Sequence, residues 1–391
     1  MKRTILSFLL FFFTTQWICA HKFVGIGLSN VKVSVFNSSH IKTVLIAPLQ
    51  GAYTVVCDGV KLYQVSPEFV IQLNCVNDSI DVKTGDQKST RAKCVDITGM
   101  QGTNVFKVKL VNPDAAIKQY DDNLQVHVAN GELKLVNETN LDTYVSNVVT
   151  AEVGTQATLE YYKAQSIICR TYALGHLRRH EQEGFNLCDQ VHCQVTNGTA
   201  KVTPLIREAT LFTKGLVMVD EKQQLVLAAF HSNCGGQTVN CEEVWSMKKS
   251  YLRSKTDNYC KTSKQANWEK KIPLTEWNAY FCNKYNITEL DKLALLGAYT
   301  QETRKVYYSN SPAILLKNIR TDFKLKSTLF DVSNDGVNVY VRGHGYGHGV
   351  GLCQEGAINM AKQGIDYKTV LNFYFLNIAI IDLDLLNFDK Q

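Results

Sequence analysis

Four stretches of this chain carry side chains whose types and spacing could do chemistry. In the first, Glu152 follows Val148-Val149-Thr150-Ala151 and precedes Lys163-Ala164-Gln165 and Arg170-Thr171-Tyr172. A carboxyl group near two cations and a helix start can hold an anionic ligand or move a proton, and its neighbours set which. The same residue could equally be a surface glutamate serving the helix dipole. In the second, His180-x7-Cys188-x4-Cys193 offers one imidazole and two thiols. That donor set suits zinc, with a fourth position left for water or a carboxylate. His176, one turn before His180, and His192 compete as ligands, and a Cys188–Cys193 disulfide or two buried thiols are the alternatives. The third runs Gly343-His344-Gly345-Tyr346-Gly347-His348-Gly349-Val350-Gly351-Leu352-Cys353-Gln354. Its glycines let backbone approach a ligand closely, with His348 and Gln354 supplying polar contacts. It lacks the closing Gly-Lys-Ser/Thr of a phosphate loop, which argues against nucleotide binding. The fourth, His231-Ser232-Asn233-Cys234-Gly235-Gly236, has the same character. A simple turn is the alternative for both.

A nucleophilic hydrolase would use Cys353 beside His348, or Ser232 beside His231. Sequence neighbours rarely align as nucleophile and base, because such triads assemble in space.

The elements that must hold these groups read as α+β, mostly antiparallel β, with one long helix following Glu152. Val31 to Phe36 alternates cleanly, and Lys42 to Ala47, Tyr53 to Cys57, Phe69 to Leu73 and Val105 to Leu110 read as further strands. Leu124 to Val128 and Leu133 to Val136 bracket Asn130-Gly131, a hairpin turn signal. From Ala157 to Leu177 the apolar period changes to three and four, which predicts the long helix, capped by Thr155 or Thr158. Strands follow at Leu216 to Val219, Leu225 to Phe230 and Val337 to Val341. Helices are expected near Glu289 to Leu296, over Cys353 to Gln363 and around Tyr367 to Tyr374. The expected division is a signal peptide over 1–20, a β-rich N-terminal domain over 21–115 and a catalytic domain over 116–391, with 255–320 as an insertion or subdomain.

Lys2 and Arg3, the apolar run Ile5 to Phe13 and Ala20 predict an export signal, too short for comfortable membrane spanning. No later stretch reads as a transmembrane span, so the mature chain is expected in the periplasm or cell envelope. The formal charge is +6, and loss of Lys2 and Arg3 would leave +4. That mild excess suits an acidic polymer surface, and nothing resembles a basic nucleic-acid arm. Of the twelve cysteines, loss of Cys19 leaves eleven, an odd number. At least one is then free, metal-bound or paired with another molecule; Cys57, Cys75 and Cys94 are the group in which one disulfide could form.

In this order the segments resemble the stage II sporulation protein D family, which includes the amidase enhancers. The resemblance rests on Leu141-Asp142-Thr143-Tyr144-Val145 through Glu152, and on Lys163-Ala164-Gln165 with Arg170-Thr171-Tyr172-Ala173. It continues in His231-Ser232 with Gly235-Gly236-Gln237-Thr238, in Val244-Trp245 and Tyr251-Leu252, and in Lys326-Ser327-Thr328-Leu329-Phe330. Gly347-His348-Gly349-Val350-Gly351-Leu352 with Gln354 and Gly356-Ala357 completes it, so the likeness spans roughly 25–380. It implies a peptidoglycan lytic transglycosylase acting on glycan strands stripped of stem peptides, with Glu152 catalytic. By the same analogy Lys163, Gln165, Arg170, Tyr172, His231, Ser232, His348 and Gln354 bind substrate. Some members bind zinc through a histidine and two cysteines after the main helix, which His180, Cys188 and Cys193 would match. The alternative it implies is a non-catalytic glycan-binding protein that activates a cell-wall amidase. Thr150-Ala151 stands where the family has Pro-Ser, Val153 where it has Met, and Cys353 and Glu355 where it has Ser and Tyr. None of these departures removes the proposed acid.

Overall fold

Alternation of buried apolar and outward polar residues makes strands out of most of the N-terminal third. In Thr43–Gln50 the buried positions are Val44, Ile46 and Pro48, and in Val105–Asn112 they are Phe106, Val108 and Leu110. A period of two puts such residues on one face of a sheet. The structure, a computed structural model, describes residues 29–85 and 89–386. The expected export signal lies outside the described residues.

Two antiparallel sheets carry this pattern. One runs Leu187–Cys188, Asn30–Val35, Glu132–Asn140, Asn123–Ala129, Cys94–Gly99, Tyr53–Cys57, Val60–Val65, with only the first pair parallel. The other runs Lys118–Asp121, Val105–Asn112, Thr43–Gln50, Ile71–Val76, Ser79–Thr84, Thr90–Ala92. Both sheets bury one face in a common apolar core. The Asn130-Gly131 turn joins two strands as expected, with φ of 53° and 71°, the left-handed pair that a tight hairpin turn requires. Strands on either side of residue 115 are hydrogen-bonded neighbours, since Cys94–Gly99 pairs with Asn123–Ala129.

Strand accounts for 34% of the chain and helix for 26%, which fits the α+β expectation. The helices differ in one consequential way. The long helix does follow Glu152, as α2 over Leu159–Gly175, but Glu152 does not open it; it lies in the last turn of a separate helix, α1, Leu141–Val153. The apolar stripe Leu141, Tyr144, Val145, Val148, Val149 makes α1 amphipathic, and the Asn140 side chain caps it by accepting from the Asp142 amide. Helix α2, Leu159–Gly175, then starts at Thr158, whose hydroxyl accepts from the Tyr161 amide. From Tyr161 to Thr171 every residue of α2 is buried, which makes it a core helix packed on α1.

One further expectation is corrected, and one element is new. Leu225 to Phe230 is not a strand; only Phe230–His231 is, pairing in parallel with Leu352–Cys353. Residues 255–320 contain a helix the period did not reveal, Leu274–Tyr285, centred on the fully buried Trp277. With the three-stranded sheet Asn267–Pro273, Asn338–His344, Leu329–Asn334 it encloses a second apolar core distinct from the first.

Candidate functional site

The carboxyl of Glu152 is half-buried and has no cationic partner among the described residues. Its Oε1 accepts from the Val195 amide at 3.3 Å. Burial pushes its pKa up, and the Val195 hydrogen bond offsets only part of that. Its place at the C-terminal end of α1 adds to the same tendency, because the helix dipole is negative there. A carboxyl that is costly to ionise is one that can hold a proton near neutral pH.

Around it stand groups from two other helices. From α2, Tyr161 and Cys169 are close enough for the ionised Glu152 to disfavour their own ionisation. The Tyr161 hydroxyl donates to Gln165 Oε1 at 3.1 Å and adjoins Gln354, which opens the helix Gln354–Lys362. The Gln354 Nε2 is buried without a hydrogen-bond partner. Such an orphan donor is expensive unless a ligand or water satisfies it. The structure therefore brings Glu152, Gln165 and Gln354 together around Tyr161.

Lys163 and Arg170 do not join them, and their expected place in the cleft is corrected. Arg170 is wholly buried; its Nη2 and Nε donate to Asp142 Oδ1 at 2.7 and 3.1 Å, and it also donates to the carbonyls of Thr210 and Leu216. Lys163 donates to Glu160 at 2.7 Å and lies 3.9 Å from the centre of the Phe212 ring. Each cation is buried on a core helix and so needs its own anion. Neither is then free to hold Glu152 ionised.

His231, Ser232 and His348 form a different group. Gly347 packs so closely on His231 that an added Cβ would lie 2.8 Å from the His231 Cβ. His231 hydrogen-bonds the Val350 carbonyl through Nδ1 at 3.1 Å, while its buried Nε2 is unpartnered. His348 lies against Trp245 and His231, with ring centres 5.0 and 5.5 Å away, in a cavity lined also by Arg304 and Arg320. Desolvation lowers the His348 pKa to about 4 and that of His231 well below the usual value, so both imidazoles are neutral at pH 7. No contact ties this group directly to Glu152. Its link is the strand pair Phe230–His231 with Leu352–Cys353, which leads straight into Gln354.

The loop after α2 gathers a donor set able to hold a metal ion. Ligand atoms of His180, Cys188, His192 and Cys193 all lie within 4.8 Å of one another. His180 Nε2 is 3.4 Å from the Cys193 sulphur, and His192 Nδ1 is 3.8 and 3.9 Å from the sulphurs of Cys193 and Cys188. Tetrahedral bonds of about 2.0–2.3 Å place donors about 3.3–3.8 Å apart, so the spacing fits one ion. Glu183 bonds His180 Nδ1 at 2.5 Å, the kind of carboxylate that aims a ligating imidazole. Cys188 is fixed by its short strand against Val33–Ser34. His192, a competing ligand in the sequence reading, completes a set of four. His176 instead bonds the Tyr172 carbonyl and stacks on Tyr172, whose hydroxyl accepts from Arg179. Tyr172 thus borders the donor set rather than Glu152.

The two sites share one strand of chain. Two residues after Cys193, Val195 holds Glu152, and between them Gln194 is tied to the Tyr144 hydroxyl and the Cys169 carbonyl. Sequence reasoning passed over Tyr161 and the Val195 amide. Tyr161 carried a signal, since it stands one helical turn before Gln165 on the same face. The Val195 amide carried none.

Comparison with known proteins follows this geometry. The family model described as stage II sporulation protein matches residues 129–219, which contain α1, α2 and the donor-bearing loop. An uncharacterised protein of Brachyspira hyodysenteriae is 28% identical over 277 residues, 69% of this chain and 74% of that protein. Stage II sporulation protein D of Bacillus subtilis is 28% identical over 273 residues, 64% of this chain and 76% of its own length. The amidase enhancer of Bacillus subtilis is 25% identical over 284 residues, 59% of this chain and 39% of that protein. The matched domain and the matched relatives agree in likening this chain to the stage II sporulation protein D family.

Proposed function

We propose that this protein acts on the bacterial cell wall as a lytic transglycosylase, cleaving MurNAc–GlcNAc bonds of denuded glycan with Glu152 as the single acid/base. The observation that carries this reading is a half-buried carboxyl with a raised pKa, no cationic partner, and the unpartnered Gln354 amide in the same neighbourhood. The amidase enhancer relative bears on the wall as target.

Neutral Glu152 gives its proton to the glycosidic oxygen, and the bond from that oxygen to the MurNAc anomeric carbon breaks. Positive charge develops on the anomeric carbon. The Glu152 carboxylate then takes the proton of the MurNAc 6-hydroxyl, whose oxygen bonds to the anomeric carbon and closes a 1,6-anhydro ring. No water enters, so no second carboxylate is needed to activate one, unlike in ordinary glycosidases. Gln354 orients the sugar beside the acid, and the buried Tyr161 hydroxyl, bonded to Gln165, supports it from behind.

His180, Cys188, His192 and Cys193 would hold zinc, a role their donor types suit. Bound there, zinc supplies a rigid cross-link of the loop. The Val195 amide, two residues on, then stays aimed at Glu152. Export to the periplasm or envelope, and cooperation with a separate amidase, belong to the same proposal.

The test is Glu152→Gln on purified protein incubated with denuded glycan, with anhydro-muropeptides read by mass spectrometry. Loss of anhydro ends in a variant of unchanged circular dichroism is expected. Undiminished anhydro product would refute the assignment. If neither protein makes any, yet both stimulate a cell-wall amidase equally, the chain is a non-catalytic enhancer.

A further inference from the structure

A second cluster of metal-type donors lies elsewhere. Cys234, Asp257, Cys260 and Cys353 are all buried, and their ligand atoms lie within 4.8 Å of one another. The sulphurs of Cys234 and Cys260 are 3.3 Å apart, and Cys234 is 3.3 Å from Asp257 Oδ2. All three cysteines are free thiols. We propose that these four side chains form a closed, structural zinc site.

The carboxylate makes the strongest argument. Asp257 has no exposed surface, and no cation pairs with it among the described residues. It accepts only from neutral donors, the Tyr374 hydroxyl and the Tyr259 amide, each at 2.9 Å, and the Cys234 thiol at 3.3 Å. A buried carboxylate without a counter-charge is among the costliest groups in a fold. A Cys234–Cys260 disulfide would supply no positive charge and would leave Cys353 and Asp257 facing it to no purpose. A dication meets all four at once.

The donor types narrow the ion. Three thiolates favour a thiophilic metal, and the added carboxylate suits zinc better than copper(I). An iron–sulphur cluster is excluded by size, because its cysteines bind separate irons and cannot converge on one point. Four anions around a dication leave a net charge of about −2. Two features answer it. The Cys234 amide donates to the Cys353 sulphur at 3.3 Å. Arg304 donates to the Cys234 carbonyl at 2.5 Å, and its other bonds go to Gln237 and Thr328, so it has no carboxylate of its own among the described residues.

The consequence is mechanical. Cys234 sits in the turn after Phe230–His231, Cys260 follows Asp257 in a loop, and Cys353 directly precedes Gln354. One ion would therefore cross-link three loops, two of which, those of Cys234 and Cys353, glycine-rich sequence leaves intrinsically loose. It would fix the start of the Gln354–Lys362 helix.

The test uses the whole chain purified without chelator, in a His180→Ala/His192→Ala background that disables the other donor set. One zinc per chain by mass-spectrometric metal analysis is expected. Exchange with cobalt should give the charge-transfer band and intense visible absorption of a tetrahedral cobalt–thiolate centre. Adding Cys353→Ser should cut the charge-transfer intensity by about one third, since one of three thiolates is lost. Asp257→Asn should weaken zinc retention against a competing chelator at least tenfold. The His180→Ala/His192→Ala protein itself decides the matter should the further variants fail to fold. No zinc in it, or a Cys234–Cys260 disulfide found by non-reducing peptide mapping, would overturn the proposal. Because the readout is metal content, it is independent of whether Glu152 is an acid.

Discussion

Replacing Arg170 by methionine tests whether this cation belongs to the scaffold or to the substrate cleft. Methionine fills the space of the aliphatic stem, so the change isolates the guanidinium. That group gives two bonds to Asp142 Oδ1 and one each to the Thr210 and Leu216 carbonyls. Asp142 retains only 14% side-chain exposure, so it would be left as a nearly buried, unpaired anion. Breaking one side of a buried pair typically costs about 3–5 kcal/mol. The position of Asp142 in the first turn of α1 softens the loss, since the helix dipole favours an anion there by up to about 1 kcal/mol. The net expectation is about 2–4 kcal/mol. Urea unfolding followed by far-ultraviolet circular dichroism reads the global loss. Hydrogen exchange over 141–175 reads the local one, as a drop in protection of roughly 30- to 1000-fold. Arg170→Met combined with Asp142→Asn should recover part of the loss, because the pair is coupled. A stability change under about 0.5 kcal/mol, together with a selective fall in glycan binding, would show that Arg170 serves the substrate after all.

Glu152 predicts a pH signature of definite sign. Its folded pKa is raised by burial, so the folded state binds the proton more tightly than the unfolded one. Stability is therefore lost as pH climbs from the unfolded glutamate value, about 4.3, through the raised folded value. Glu152→Gln should be more stable than the parent at pH 7 and equal to it below about pH 4 by thermal melts; the opposite order would mean the carboxylate is the stabilised form. Gly351 predicts a steric effect. Its φ is +71°, and an added Cβ would lie 2.2 Å from the Ala229 carbonyl oxygen. Gly351→Ala should cost about 2–4 kcal/mol in urea unfolding and loosen the Phe230–His231 pairing; a near-neutral result would mean the loop rearranges freely.

The family entered through spacing: Glu152, the Lys163-Ala164-Gln165 and Arg170-Thr171-Tyr172 segments and the glycine loop are legible as types in order. The strands were legible because alternation is a local property, seen at Val105 to Leu110 and again in the hairpin around Asn130-Gly131. Helix α1 was legible in principle, since Leu141, Tyr144, Val145, Val148 and Val149 hold helical spacing, yet the motif drew attention to Glu152 alone. The Leu274–Tyr285 helix was hidden by its polar composition, because its burial rests chiefly on Trp277 and Phe281.

What the sequence by itself determined is the kinds of group present and the elements that carry them, since periodicity, caps and turn residues act over a few neighbours. Only the tertiary structure decided which groups meet. It paired Arg170 with Asp142 and Lys163 with Glu160, withdrawing both cations from Glu152. It aimed the Val195 amide at that carboxyl, and it brought Cys234, Asp257, Cys260 and Cys353 to one point across more than a hundred residues of chain. The physical reason is that a charge or thiol is a property of one residue, whereas its partner, its burial and hence its protonation are set by chain segments remote in sequence.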